Sequence, residues 1–295
     1  MGEIAPAQKT VLTRRRFLAL AGATALGVPL YAAEISRHEL RIEHVPIHLP
    51  RLPEVFDGLR IVQISDLHYA NFTEPYFIRH VVNKANELKA DVVLFTGDYI
   101  STGLWPYEEI VRFAYSCAEI LSHIACPIRY AVLGNHDYFF NRWVVTDALK
   151  THNIPVLANR YEPLEREGKR LWFAGTGDAI KHDVLLDKAV PPASRVDGEP
   201  VILLSHEPDS FDMVAHSNVD LMLSGHTHGG QIRLPFLPAM FLPEMGTKYV
   251  EGLFHLGSTQ LYVNRGIGAV GLPFRFNCPP EITVLTLSSR PVSQH

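Results

Sequence analysis

The residues Leu59-Arg60-Ile61-Val62-Gln63-Ile64-Ser65 form an apolar run that leads directly into Asp66-Leu67-His68. A short apolar run bounded by polar residues predicts a buried β-strand. The same pattern recurs in 91–98, which ends at Gly97-Asp98, and in 128–137, which ends at Gly134-Asn135-His136-Asp137. Three such strands, each followed by polar residues, predict the framework of an α/β domain.

Helices and further strands follow from the same kind of pattern. Apolar residues at helical spacing predict a helix over 74–89, capped by Thr73 with Pro75 in its first turn, and a second helix over 107–122. Further strands are predicted closer together, over 170–174, 201–204, 220–223, 261–263 and 282–287. Alternation of strands and helices, followed by closely spaced strands, predicts two sheets packed together with helices outside.

Candidate metal ligands follow five of the predicted strands: Asp66, His68, Asp98, Asn135, His136, His206, His226 and His228. In open α/β sheets, ligands bind outside the carboxyl ends of the strands, where separate loops converge. Carboxylate, amide and imidazole groups without a thiolate suit Mn, Fe, Co or Zn. The set exceeds the needs of one tetrahedral ion, which favours two divalent ions that share a carboxylate.

The composition limits the classes of function. The 295 residues carry 27 Lys and Arg against 31 Asp and Glu, a formal net charge of −4. There is neither an overall basic field nor a basic stripe with interleaved aromatic residues, so no nucleic acid is expected as a partner. Cys117, Cys126 and Cys278 form no disulfide framework. The sequence is compatible with a Cys117–Cys126 disulfide and with free thiols, and free thiols are favoured.

The first 33 residues have the features of an export signal or an N-terminal anchor. Thr13-Arg14-Arg15-Arg16-Phe17-Leu18 begins a stretch that carries no charge from Phe17 to Ala33. Paired arginines before an apolar, Ala/Gly-rich segment are typical of a twin-arginine signal. We therefore expect the twin-arginine export machinery as a partner. The expected location is the periplasm, the cell envelope or the outer face of the cytoplasmic membrane. Residues 34–58 are predicted to form a linker or edge strand before the domain over 59–290.

Five ordered blocks resemble those of the calcineurin-like metallophosphoesterases: Asp66-x-His68, Gly97-Asp98, Gly134-Asn135-His136-Asp137, His206 and Gly225-His226-Thr227-His228. Gly229-Gly230-Gln231-Ile232 and 275–281 are similar to the bacterial branch of exported or membrane-associated phosphodiesterases. The resemblance spans about Leu59 to Leu287. It implies the metallo-dependent phosphatase fold, a four-layer α/β/β/α sandwich of two mixed sheets.

The resemblance also implies a division of the ligands between two ions. The first would be held by Asp66, His68, Asp98 and His228. The second would be held by Asp98, Asn135, His206 and His226, with Asp98 bridging. We expect the ions to activate a water for in-line attack on phosphorus and to neutralise charge on its oxygens.

Three further residues have predicted roles around this centre. His136 is not needed as a ligand beside Asn135, so it is predicted to protonate or stabilise the leaving oxygen. Asp137 either orients His136 or caps the loop. Arg265 either contacts phosphate or forms a surface salt bridge, and the salt bridge is favoured.

The blocks also limit the class of substrate. Ser/Thr protein phosphatases of this superfamily extend the second block to Gly-Asp-x-x-Asp-Arg-Gly, whereas this chain has Gly97-Asp98-Tyr99-Ile100-Ser101-Thr102-Gly103. A protein phosphatase is therefore not expected. We predict a phosphodiesterase acting on a small-molecule, cell-envelope or lipid-linked phosphoester. The alternatives are a hydrolase like the UDP-2,3-diacylglucosamine pyrophosphatases of lipid A synthesis and a non-catalytic metal-binding scaffold. The best-known branch of those pyrophosphatases has Arg where this chain has His136, although related branches keep His.

The stretch Leu234-Pro235-Phe236-Leu237-Pro238-Ala239-Met240-Phe241-Leu242-Pro243 carries no charge and follows the last metal-binding block. It is either a hydrophobic lip that contacts a bilayer or acyl chains, or a buried covering loop. In the first case a membrane surface is a partner.

Overall fold

The structure, a computed structural model, describes residues 13–70, 72–103, 105–192, 198–239 and 241–291. Its first sheet is mixed and has the order β1-β11-β2-β3-β4. These strands are β1 (Arg41–His48), β2 (Arg60–Ile64), β3 (Val92–Phe95), β4 (Arg129–Ala131) and β11 (Glu281–Ser288). β2, β3 and β4 run parallel, whereas β11 is antiparallel to β2 and parallel to β1. The carboxyl ends of β2, β3 and β4 therefore meet at one edge.

The second sheet is also mixed and has the order β5-β6-β7-β8-β10-β9. Its strands are β5 (Arg160–Arg166), β6 (Lys169–Gly175), β7 (Val201–Leu204), β8 (Leu221–Ser224), β9 (Gly252–Leu256) and β10 (Thr259–Val263). The four central strands run parallel, and the two edge strands, β5 and β9, are antiparallel to their neighbours.

Helices cover the outer faces of both sheets. They are α2 (Pro75–Glu87), α3 (Tyr107–Ser122), α4 (Asn135–Thr151), α5 (Leu186–Ala189) and α6 (Phe211–Val214), and a further helix, α1 (Arg14–Leu30), precedes the first sheet in the chain. Apolar side chains of α2, α3 and α4 pack on the outer face of the first sheet, and α5 and α6 pack on that of the second. A third cluster, which includes Ile61, Leu94, Phe173 and Leu204, fills the space between the sheets. The predicted four-layer α/β/β/α sandwich is confirmed.

Most of the predicted elements are present with shifted ends, and one predicted cap is wrong. The helix predicted to begin under a Thr73 cap begins at Pro75, and Glu74 occupies the N-cap position without a side-chain cap hydrogen bond. The carboxylate of Glu74 instead pairs with Arg37 and His38. Two strands without a predicted counterpart, β5 and β9, lie at the edges of the second sheet. Their half-exposed residues give no continuous apolar run.

The N-terminal part of the chain forms α1, and its connection to β1 lies against the domain. Residues 1–12 of the predicted signal lie outside the described residues. After α1 the chain is anchored by a hydrogen bond from Arg275 N to Ala32 O of 3.1 Å. Within the described ranges, no helix has both the length and the apolar character that crossing a bilayer requires. β1, which lies within the segment predicted as linker or edge strand, is the edge strand of the first sheet.

Candidate metal centre

The candidate ligands come together where strands of both sheets end. Asp66 and His68 follow β2, Asp98 follows β3, and Asn135 is the first residue of α4, just after β4. From the second sheet, His206 follows β7, while His226 and His228 follow β8. All seven side chains are buried, with at most 8% exposure. The two sheets thus supply ligands to one place from five loops that are distant in sequence.

The backbone at these positions is strained. Five of the seven ligands have a positive φ, namely Asp66 (53°), His68 (46°), Asp98 (56°), His226 (74°) and His228 (51°). A residue with a side chain seldom adopts this left-handed conformation, and such strain clusters at functional sites. The sharp turns bring the side chains of these residues back toward the strand ends.

Two glycines make room for the aspartates. A Cβ at Gly134 would lie 2.2 Å from Asp98 Oδ1, and one at Gly225 would lie 2.2 Å from Asp66 Oδ2. Neither distance is compatible with a side chain, so these positions require glycine. The loops after β4 and β8 therefore pass directly against the carboxylates and hold them in place.

The ligands form two adjacent groups. In the first, His228 Nε2 lies 3.5 Å from Asp66 Oδ1 and 3.0 Å from His68 Nε2. In the second, His206 Nε2 lies 3.2 Å from Asp98 Oδ2, and His226 completes the group. Asp98 joins the two groups, because its Oδ2 also lies 3.6 Å from His68 Nε2.

Unpaired buried atoms show that these residues fit metal ions. Asn135 Oδ1 is buried and has no hydrogen-bond partner, and the buried His206 Nε2 makes no well-aligned hydrogen bond although it lies 3.2 Å from Asp98 Oδ2. Leaving buried polar atoms without a partner is costly, so such atoms call for an explanation such as an ion. Both are donor atoms that divalent metals accept. The described residues also include three groups of acidic and histidine side chains whose donor atoms lie within 4.8 Å of one another.

Each histidine ligand is oriented by a hydrogen bond from its other ring nitrogen. His68 Nδ1 lies 2.8 Å from Ser101 Oγ, and His206 Nδ1 lies 2.6 Å from Thr96 O. His226 is turned the other way, with Nε2 bonded to Glu244 O at 2.7 Å, which leaves Nδ1 for the centre. Such outer contacts fix the tautomer and direction of a ligating imidazole.

The electrostatics also suit cation binding. Burial lowers the pKa of His68 to about 3 and that of His226 to about 4, so both rings are neutral near pH 7 and can donate a lone pair. Burial alone would raise the pKa of Asp98. The facing His206 and His136 outweigh that effect and hold the pKa of Asp98 well below its usual value. Asp98 is therefore an anion. Burial alone would lower the pKa of His206, but Asp98 and Asp66 hold it well above its usual value, so His206 would release a proton on binding a metal ion.

His136 and Asp137 follow Asn135 but face different surroundings. His136 is half-buried, and its Nδ1 accepts a hydrogen bond from Thr102 N at 3.4 Å, with Thr102 Oγ1 at 3.3 Å. Asp137 is buried and accepts hydrogen bonds from the N–H groups of Asp98, Tyr99 and Gly134. Of the two predicted roles of Asp137, the contacts correspond to the loop cap, and Thr102 is the residue that orients His136.

Arg265 and the cysteines are not among the ligand groups, although Cys278 Sγ donates a hydrogen bond to His228 O at 3.1 Å. Arg265 pairs with Glu43 and Glu281, each at 2.6 Å, so the predicted salt bridge is confirmed. Cys117, Cys126 and Cys278 are free thiols, as favoured from the sequence, and no Cys117–Cys126 bridge forms.

A cavity of about 390 Å³ opens onto the ligands. On one side it is lined by Asp98, Asn135, His136, His226 and His228, and on the other by Phe241, Leu242, Pro243 and Val270. Leu234, Leu237 and Phe241 are 41%, 51% and 58% exposed, and Phe236 is fully exposed. Residue 240 lies outside the described residues. The alternative of a buried covering loop is therefore wrong, and 234–243 is an exposed apolar lip.

Among the residues that sequence reasoning missed, three have side chains that contact a ligand or His136. Ser101 bonds His68, Thr102 bonds His136, and the fully buried Arg275 lies 3.2 Å from His228 Nδ1. Ser101 and Thr102 follow Asp98 closely, which is the only local signal of their role. Arg275 lies in 275–281, which resembles the exported phosphodiesterases, but its contact with His228 arises only through folding.

Residues 59–230 match the calcineurin-like phosphoesterase family. The chain belongs to this family. It is 34% identical over 288 residues to the uncharacterized metallophosphoesterase YkuE of Bacillus subtilis, covering 94% of this chain and 98% of YkuE. It is 31% identical over 291 residues to the phosphodiesterase YaeI of Escherichia coli, covering 94% of this chain and 100% of YaeI. The family predicted from the five blocks is confirmed.

Two further likenesses bear on substrate and fold. Over 320 residues the chain is 29% identical to the UDP-2,3-diacylglucosamine pyrophosphatase LpxG of Chlamydia trachomatis, covering 87% of this chain and 92% of LpxG. The solved structure of Haemophilus influenzae NAD nucleotidase matches with a TM-score of 0.51 at 18% identity, covering 71% of this chain and 45% of that chain. The second likeness concerns the fold alone.

Proposed function

We propose that this protein is a phosphodiesterase that uses two divalent metal ions and hydrolyses a lipid-linked or cell-envelope phosphoester. The observation that carries the proposal is the meeting of two ligand groups at Asp98, beside the buried Asn135 Oδ1, which has no hydrogen-bond partner. The first subsite comprises Asp66, His68, His228 and Asp98. The second subsite comprises Asp98, Asn135, His206 and His226. Mn, Fe, Co or Zn fit this donor set.

The residues of the cavity have separate roles in phosphoester hydrolysis. When bound, the ions supply Lewis acidity for the phosphate and an activated water. Asp98 is held for bridging, because its Oδ1 accepts the His136 N–H at 2.9 Å while its Oδ2 faces both groups. His136 lines the cavity beside them and carries a proton to the leaving oxygen. Asp137 holds the loops that carry these groups.

An experiment on soluble substrates tests the chemistry. Purified, metal-replete protein should hydrolyse a bis-aryl phosphodiester faster than the matching aryl monoester. Removal of metal by a chelator should stop the reaction, and Mn²⁺ should restore it. No turnover of either ester at full metal occupancy would favour the alternative of a non-catalytic scaffold. Faster turnover of the monoester would contradict the phosphodiesterase assignment.

The lipid-linked character of the substrate is supported by the lip. Phe241, Leu242 and Pro243 form one wall of the cavity, and Phe236 extends fully into solvent. An exposed apolar surface next to a polar catalytic wall suits a substrate with a phosphoester head and acyl chains, held at a membrane surface. The relative LpxG is named for a diacylated substrate.

A second candidate function is a pyrophosphatase acting on UDP-2,3-diacylglucosamine. The same apolar wall and the similarity to LpxG favour it. Parallel assays with UDP-2,3-diacylglucosamine and with a nucleotide-free lipid phosphodiester separate the two candidates. A preference for the lipid phosphodiester supports the first, and exclusive turnover of the nucleotide substrate supports the second.

We further propose export by the twin-arginine route, with the active site in the periplasm, cell envelope or at the outer face of the cytoplasmic membrane. The support is the pair Arg14-Arg15 ahead of Phe17-Leu18 and the uncharged stretch from Phe17 to Ala33. In cell fractionation, the double variant Arg14→Lys, Arg15→Lys should stay in the cytoplasm, whereas the control Arg16→Lys should still be exported. Normal export of the double variant would contradict this route.

A further inference from the structure

Arg275 is a buried cation that lies directly behind one of the candidate ligands. Its side chain has no exposure to solvent, and its Nη2 lies 3.2 Å from His228 Nδ1. Taking a charge out of water carries a large free-energy cost unless hydrogen bonds and an opposite charge offset it. The contacts of this guanidinium therefore require an explanation.

The N–H groups of the Arg275 side chain donate hydrogen bonds to neutral main-chain carbonyls. Nε and Nη2 both donate to Gly268 O, at 3.0 and 2.6 Å. Nη1 donates to Cys278 O at 3.1 Å, and Nη2 also donates to Arg265 O at 2.8 Å. Among the residues that the structure describes, none of the ion pairs involves Arg275. The planar fork of the guanidinium therefore holds three loop carbonyls in fixed positions.

Gly268 O is also the acceptor for His228. His228 Nδ1 lies 3.2 Å from Gly268 O, while its Nε2 faces His68 and Asp66. Nε2 must be without a proton to bind a metal ion, so the proton of the neutral ring lies on Nδ1. Arginine has no acceptor atom. The Nδ1–H of His228 therefore donates to Gly268 O and not to Arg275.

Gly268 also contacts the segment that carries Asp66 and His68. Its N–H donates to Asp66 O at 2.7 Å, and a Cβ at this position would lie 2.4 Å from Leu67 O. The loop at Gly268 is thus pressed against this segment on one side and held by Arg275 on the other. The second subsite is oriented through other groups, since His206 and His226 bond to Thr96 O and Glu244 O.

We propose that Arg275 is a positioning residue for the first subsite alone, acting by clamping Gly268 O so that His228 keeps its proton on Nδ1 and aims Nε2 at the metal. A ligating histidine commonly relies on a carboxylate or a carbonyl for this purpose. Here the carbonyl belongs to a loop, and the buried guanidinium immobilises it. The inference rests on the proposed metal centre.

Metal titration of the metal-free protein tests the proposal. Calorimetry with Mn²⁺ or Zn²⁺ gives the affinities, and long-range ¹H–¹⁵N NMR of the rings of His228 and His206 with Zn²⁺ assigns each binding event. For Arg275→Met we expect first-subsite affinity to fall about 10–100-fold, with the second subsite unchanged. The control Arg129→Met removes another arginine that donates to main-chain carbonyls, those of Ser122 and Ile124, at the end of β4 away from the centre, and it should leave both affinities unchanged.

A conservative variant distinguishes the effect of the planar guanidinium geometry of Arg275 from the effect of its positive charge. Arg275→Lys should resemble Arg275→Met, because an ammonium cannot hold three carbonyls in a fixed geometry. Wild-type affinity in the lysine variant, equal weakening of both subsites or an effect at neither subsite would each overturn the clamp. The tautomer of His228 can be measured in the wild-type protein, without any variant. A proton on Nε2 in that measurement would also overturn the clamp. A wild-type protein that binds no metal would instead refute the proposed metal centre.

Discussion

The two walls of the cavity are built by opposite means. The polar wall, formed by Asp98, Asn135, His136, His226 and His228, consists of side chains that follow buried strands, and strained backbone and close-packed glycines hold them. The apolar lip has no regular secondary structure over its described residues, 234–239 and 241–243, and it exposes Phe236 and Phe241. Bond making at phosphorus requires groups fixed to a fraction of an ångström, whereas gripping an apolar chain requires only accessible area. The difference suggests that chemistry and substrate choice can be altered separately.

The largest effect is expected from the polar wall at the residue that joins the two ligand groups. Asp98→Ala removes the carboxylate that faces His68 and His206, so bound metal should be lost and turnover of a bis-aryl phosphate should fall to background. Metal analysis and a kinetic assay measure both. The control Asp57→Ala, before the opposite end of β2, should keep activity. Full activity in Asp98→Ala would contradict the metal centre.

His136 should show a loss that depends on the leaving group. His136→Gln removes the proton donor, and an alkyl phosphodiester should then react about 10²–10⁴-fold more slowly. A nitrophenolate leaves without protonation, so the loss with the aryl diester should be much smaller. The ratio of kcat/KM for the two substrates is the measurement. Equal losses for both substrates would argue that His136 positions the phosphate and does not donate a proton.

The lip should affect lipid substrates and leave soluble ones unchanged. The double variant Phe236→Asp, Leu237→Asp should weaken binding to phospholipid vesicles about tenfold or more, because two exposed apolar side chains that do not line the cavity can no longer be buried in the bilayer. Hydrolysis of the soluble diester and the melting temperature should stay the same. Met213→Asp, at another exposed apolar residue, is the matched control. Unchanged vesicle binding in the double variant would remove the lip from substrate recognition.

The smallest effect is expected at Thr102. Thr102→Val removes the hydroxyl beside His136 Nδ1 but keeps the main-chain N–H that also contacts this atom. Loss of one hydrogen bond is worth about 1 kcal/mol, or about fivefold in rate. The effect should appear with the alkyl diester, where His136 acts, and vanish in a His136→Gln background. A persistent effect in that background would place Thr102 outside the orientation of His136.

Much of the fold follows from local patterns. β2, β3, β7 and β8 are largely apolar runs followed by polar residues, because both of their faces are buried while their carboxyl ends open onto the site. α3 lies where its apolar spacing predicts it. The edge strands β5 and β9 escaped prediction because only part of each strand is buried, which leaves no continuous apolar run. The predicted Thr73 cap failed because Pro75 sets the helix start and Glu74 pairs with Arg37 and His38.

The seven candidate ligands were identifiable from the sequence, because short polar blocks directly after apolar runs report both the residue types and their place at strand ends. What the residues around them do was decided by tertiary structure. Asp137 lies next to His136 in sequence but bonds three loop amides, and Arg275 reaches His228 across 47 residues. The exposure of the lip could not be predicted from the sequence either, because an apolar stretch has the same sequence pattern whether it is buried or exposed. Periodicity reports which faces a segment buries, whereas contacts between distant loops exist only after the sheets have packed.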